Sequence, residues 1–175
     1  MWRYREWLPL GPDESPVTLG EGATPLLRVA RIGARYGFDD LWVKDEGKNP
    51  TGSFKARGLA AAVTRAVLAG CERFVVPTAG NAGIALAAYA GRAGVAARVY
   101  APATTPPMIL SQIRGFGAEL ILLEGHIGDC GRAARGYAAE SGAMDVSTLR
   151  EPYRIEGRRR SGWRSPSSSG GACPT

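Results

Sequence analysis

From residue 39 onward the chain alternates between short apolar runs and longer stretches of helical composition. Residues 39–46 (DDLWVKDE) lead into a Gly/Pro loop, and residues 55–69 then read as a helix stopped by Gly70. The run 74–77 (FVVP) is followed by a glycine-containing turn and a helix from Asn81 to Arg92, with Asn81 a good N-cap type and Gly94 the stop. Residues 98–102 (RVYAP) form the next strand. Pro106 and Pro107 open a helix that ends at Gly117. Residues 119–125 (ELILLEG) are apolar, 127–141 are helical, and 143–147 (AMDVS) give a brief strand. Short apolar runs bounded by glycine and separated by helices of this length predict βαβ units joined by right-handed crossovers. The expected class is α/β: a three-layer open parallel sheet. The first 38 residues are less regular; EGATPLLRV reads as an extended segment entering a helix over 30–36.

Composition narrows the function classes. The 175 residues are 45% hydrophobic and 22% charged, as in a globular chain, and contain no apolar run long enough to cross a membrane. The opening MWRYREWLPL lacks the apolar core of a secretion signal, and Cys71, Cys130 and Cys173 share no metal-ligand spacing, so a reduced, cytoplasmic setting is expected. His126 is the only histidine, expected at the surface or in a cap, which leaves little for histidine triads or metal centres. Cys71 and Cys130 read as packing residues, and Trp2, Tyr4 and Trp7 as packing against the domain or a second subunit. The net charge of +6 comes from 22 basic and 16 acidic residues, but four of the basic ones lie from Arg158 onward, where no acid follows. The remainder is nearly balanced, which argues against a nucleic-acid surface.

Two strand-to-helix junctions carry chemistry. Residues 44–58, KDEGKNPTGSFKARG, set Lys55 behind a tight loop at the start of an apolar helix. A helix N-terminus and partial burial beside Phe54 both disfavour a protonated amine, and a neutral amine is what attack on an aldehyde requires. At the second junction, Thr78, Ala79, Gly80 and Asn81 follow a strand directly. Small residues there let an anion approach backbone N–H groups, and Asn81 can offer its amide. Neither a dinucleotide fingerprint nor a phosphate-binding Walker motif is satisfied. Together the junctions point to Schiff-base chemistry on a phosphorylated aldehyde cofactor.

EGATPL, LWVKDEGKNPTGSFKARG, VPTAGNAGIALAAYAGRAG and DVSTLREPYRIEG together resemble threonine synthase, a pyridoxal-phosphate enzyme of fold-type II, over about residues 20–157. The resemblance implies that Lys55 bonds the aldehyde of pyridoxal 5′-phosphate. It also implies that Asn81 contacts the cofactor's 3′-hydroxyl and that Thr78, Ala79 and Gly80 hold the substrate carboxylate. Ser53 is a further candidate for positioning phosphate, as is Thr51, though turn and cap roles fit both. The implied reaction turns O-phospho-L-homoserine and water into L-threonine and phosphate, a carbon–oxygen lyase reaction on a phosphate ester. Threonine or serine dehydration is the sibling alternative, and a non-catalytic fragment the other. The implied partner is a small amino-acid substrate, with no nucleic acid or membrane, and a homo-oligomer is compatible with the family.

Ala56 follows the lysine where many family members have Asp. The resemblance stops at Gly157, before the Gly-rich phosphate loop and the pyridine-nitrogen partner that the family supplies. The sequence thus divides into an N-terminal segment (1–38), the first half of the enzyme domain (39–157) and a basic tail (158–175). The tail, rich in Ser, Gly and Pro, reads as disordered, and a shifted reading frame would account for it.

Overall fold

The computed structural model describes residues 1–159. Its main sheet has four parallel strands: β3 (Arg73–Pro77), β4 (Ala96–Pro102), β5 (Glu119–Leu123) and β6 (Met144–Asp145), in the order β5-β4-β3-β6. Val76, Val99 and Leu120 stand in register on one face; Pro77, Tyr100 and Ile121 stand in register on the other. This alternation makes two cores. On the first face Phe74, Val76 and Val99 pack with α2 (Lys55–Leu68), α3 (Asn81–Ala93) and Ile113 of α4 (Pro107–Gly115). On the second, Val75 and Tyr100 pack with Cys130 and Ala134 of α5 (Ile127–Ser141). The three-layer parallel architecture expected from the sequence is present. The sheet is rich in fully buried valines, as strands covered on both faces require.

The helix boundaries follow the punctuation in the sequence. Gly94 and Gly142 sit at φ 70° and 68°, in the left-handed region that lets a glycine end a helix without a Cβ penalty. Cys130 is fully buried and Cys71 packs at the margin of the first core, so both thiols serve packing. His126 stands ahead of α5, where its backbone N–H donates to the Asp129 carboxylate at 2.7 Å. Trp2 packs the domain from a 3-10 turn over Trp2–Trp7, and Trp7 is exposed.

Two expectations change. Residues 42–44 form β2 (Trp42–Lys44), which pairs antiparallel with β1 (Leu26–Arg28) in a separate two-stranded sheet. The apolar run alone could not say which sheet it joins. At the other end, residues 153–159 form a helix, α6, so Arg158 and Arg159 are helical and not part of a disordered tail. Four arginines within seven residues hid the pattern: Arg154 and Gly157 face inward, and only the flanking positions are exposed. The rest of the tail, and the frame-shift reading of it, lie outside the described residues.

Candidate active site at the openings of two helices

α2 hands the chain to the start of β3 through residues 69–72, and α3 leaves from the end of β3 through residues 78–80. The two helices pack side by side and run against the strands, so both first turns lie at the carboxyl edge of the sheet. That edge is where open α/β sheets receive ligands. Lys55 is the first residue of α2, and its backbone N–H donates to Ser53 Oγ at 3.3 Å. Asn81 is the first residue of α3 and is exposed; the N-cap is Gly80, and Asn81 does not cap the helix as its type suggested. Thr78 is buried, and its Oγ accepts from the Gly80 N–H at 3.1 Å, while Ala79 is exposed. Among the described residues no hydrogen bond joins the Lys55 amine to Asn81.

The Lys55 amine is half-buried and its pKa lies below the ordinary lysine value. Burial is the largest cause, followed by the positive charges of Arg154 and Arg158 on α6. Both arginines escaped the sequence reading because they lie a hundred residues away along the chain. Phe54 acts against expectation: the amine sits 4.8 Å from its ring centroid, a cation–π placement that favours the charged form.

A buried ion pair holds the loop in front of Lys55. Arg57 is 1% exposed and meets Glu46 through two hydrogen bonds, Nε to Oε2 at 2.6 Å and Nη2 to Oε1 at 2.8 Å. Thr24 Oγ donates to Glu46 at 2.7 Å and Asn49 Nδ2 at 3.0 Å, so every side of the carboxylate is satisfied. Burial alone would raise the Glu46 pKa; the Arg57 pairing and the Thr24 and Asn49 donors outweigh it and bring it to about 2. Because this folded-state value is depressed from 4.5, the stability it confers is complete above about pH 4.5 and is lost as pH falls towards 2. Acid unfolding followed by circular dichroism should therefore shift to lower stability across that window in the natural chain. In Glu46→Gln, which is less stable at neutral pH, this part of the slope should vanish.

The residues present fit a cofactor carrying an aldehyde and an anionic group. Lys55 supplies an amine whose charged form is disfavoured. Thr51 Oγ, in the same loop, is buried with no partner among the described residues, so it has hydrogen-bonding capacity to spare. A Cβ built at Gly80 would meet nothing within 4 Å, leaving open space over the first turn of α3. No group of three or more potential metal ligands exists among the described residues.

Comparison with known proteins agrees with this reading. A family model described as pyridoxal-phosphate dependent enzyme matches residues 17–163. Threonine synthase from Mycobacterium leprae is 40% identical over 157 residues, which are 89% of this chain and 43% of that protein. Threonine synthase from Methanocaldococcus jannaschii is 36% identical over 160 residues, 91% of this chain and 39% of the relative. The chain thus spans about two-fifths of the relatives it matches. Among solved structures, O-ureido-L-serine synthase superposes with a TM-score of 0.80 at 26% identity, over 92% of this chain and 53% of that one. Diaminopropionate ammonia lyase from Escherichia coli shares the fold, with a TM-score of 0.79 at 22% identity over 95% of this chain and 58% of that one. The matched residues take in both helix openings and the loop between Glu46 and Lys55, and with them the chain belongs to the pyridoxal-phosphate-dependent enzymes.

Proposed function

We propose that this chain carries the lysine-bearing part of a threonine-synthase-like lyase. The observation that carries the reading is the Lys55 amine, half-buried at the head of α2, where burial and the charges of Arg154 and Arg158 lower its pKa despite the Phe54 ring beside it, within the NPTGSFK loop. Lys55 would bond the cofactor aldehyde, and Ser53 and Asn81 would contact the cofactor. Thr78, Ala79 and Gly80 receive the substrate carboxylate through the small, open first turn of α3. The substrate is O-phospho-L-homoserine, and the products with water are L-threonine and phosphate.

Each residue has a physical task. Lys55 must be a neutral amine to attack, and burial with Arg154 and Arg158 enlarges its neutral fraction. With cofactor and substrate bound, Lys55 would be the base that takes the Cα proton and returns it further along the substrate. Arg57 and Glu46, joined by two hydrogen bonds, brace the loop that carries Lys55. Pyridoxal phosphate, when bound, supplies the electron sink that makes the Cα proton removable. Spanning two-fifths of its relatives, the chain alone is expected to turn over substrate far more slowly than they do.

Reduction trapping tests the assignment. The protein is incubated with pyridoxal phosphate, treated with borohydride and digested, and the modified peptide is identified by mass spectrometry. The label should fall on Lys55 and disappear in Lys55→Ala, whose circular dichroism should match the natural chain. Equal labelling of Lys44, Lys48 and Lys55 would reject the role. Phosphate release from O-phosphohomoserine, against ammonia release from threonine, separates the synthase reaction from dehydration.

A further inference from the structure

Apart from its backbone N–H, Lys55 makes no hydrogen bond or ion pair among the described residues. The acids of its own loop are engaged elsewhere: Glu46 with Arg57, and Asp45 with the Gly47 N–H. The charged groups that face the amine are Arg154 and Arg158 on α6, both positive. The contact it does make is with the Phe54 ring, whose centroid lies 4.8 Å from Nζ. Arg158 approaches the same ring, with its Cζ 5.8 Å from the centroid and its Nε donating to the Arg154 carbonyl at 3.2 Å. Both cations are within the reach of a cation–π attraction, about 6 Å. Phe54 itself is 42% exposed and packs in neither buried cluster, so its ring does not fill a core.

An aromatic face attracts an ammonium through its quadrupole and has no such hold on a neutral amine. We propose that the Phe54 ring is a resting seat for the Lys55 side chain, which holds the ammonium at the head of α2 and lets the neutral amine go. The lysine stem is long and flexible, and the seat keeps its tip ordered beside the helix opening. Arg158 shares the ring and so weakens the seat. Proton loss, the step that makes the amine a nucleophile, thereby also frees it to reach an aldehyde. Phe54 is a positioning residue, because it touches the lysine and acts through it. The seat is a property of this chain by itself; its use in meeting a cofactor aldehyde rests on the role proposed for Lys55.

The test is site-resolved acetylation of the full chain with acetic anhydride, from neutral to alkaline pH, read by mass spectrometry. Phe54→Leu keeps an apolar side chain and loses the quadrupole, whereas Phe54→Trp offers a stronger one. At neutral pH Lys55 should be acetylated about two- to fivefold faster in Phe54→Leu, the ratio that one exposed cation–π contact supports. In Phe54→Trp it should react more slowly, so the two titration midpoints move in opposite directions. Phe54→Tyr, which keeps a ring face, should retain the natural midpoint. Lys44 and Lys48 are internal references whose midpoints should stay where they are. The same order is expected in an Arg158→Gln background, which reads the ring and the lysine without the second cation. Circular dichroism should match the natural chain throughout, since Phe54 belongs to no core. Lys55 midpoints that do not move, or that move the same way in the Leu and Trp variants, overturn the proposal. Borohydride trapping of pyridoxal phosphate on the same variants reads the role of Lys55 separately: absence of label there rejects that role and leaves the acetylation result intact.

Discussion

Arg57→Ala is expected to destabilise the protein by about 3–5 kcal/mol, the usual cost of removing one partner from a buried ion pair. The guanidinium is almost completely enclosed, and its loss leaves the Glu46 carboxylate with Thr24 and Asn49 as hydrogen-bond donors and the Lys44 ammonium 4.0 Å away. Domains of this size are stable by about 5–15 kcal/mol in total, so the loss is a large share of the whole. Urea denaturation measures it directly. Arg57→Lys should recover only part of the loss, because an ammonium cannot form the paired Nε and Nη2 bonds seen here. A cost below about 1 kcal/mol for Arg57→Ala would show that the pair does not hold the loop.

Gly157→Ala should be the second large effect, and its sign is informative. In a free helix, alanine is favoured over glycine by about 1 kcal/mol. Here a Cβ at residue 157 would overlap the Arg57 carbonyl oxygen and come within 2.9 Å of Ala61 Cβ. The reciprocal glycine, Gly58, leaves the same kind of space for the Arg154 backbone, at 2.9 Å from its carbonyl oxygen. Backbone cannot swing aside as a side-chain tip can, so α6 must lift from α2. Overpacking of this kind costs about 1–3 kcal/mol. Arg154 and Arg158 would withdraw with α6, and the Lys55 pKa should rise. Rates of reaction with an amine-selective reagent at several pH values would show it, since a purely structural defect would leave the amine's titration unchanged.

What the sequence revealed depended on whether the causes were local. The helices from α2 to α5 and the strands from β3 to β6 were legible because glycine, proline and apolar runs act within a few residues. β2 was recognised as a strand but read into the parallel βαβ pattern, because its antiparallel pairing with β1 is decided by the turns and the helix α1 (Ala30–Arg35) between them. Lys55 was legible from its loop. Its charge environment was not: Arg154 and Arg158 reach it through the crossing at Gly58 and Gly157, a contact between segments a hundred residues apart. Glu46 and Arg57 were both in view within the motif, and only a folded loop could show that they meet. Glu21 was missed for the same reason. It is buried and accepts from Tyr89 OH at 2.6 Å and from Trp2 Nε1, which ties the N-terminal segment to α3.

The crossing of α6 over α2 also gives the protein an order of maturation. During synthesis the lysine loop and its ion pair emerge about a hundred residues before the arginines that weaken the lysine's hold on its proton. Until α6 has folded back, the amine lacks the positive charges of Arg154 and Arg158, which add to burial, the larger cause of its lowered pKa.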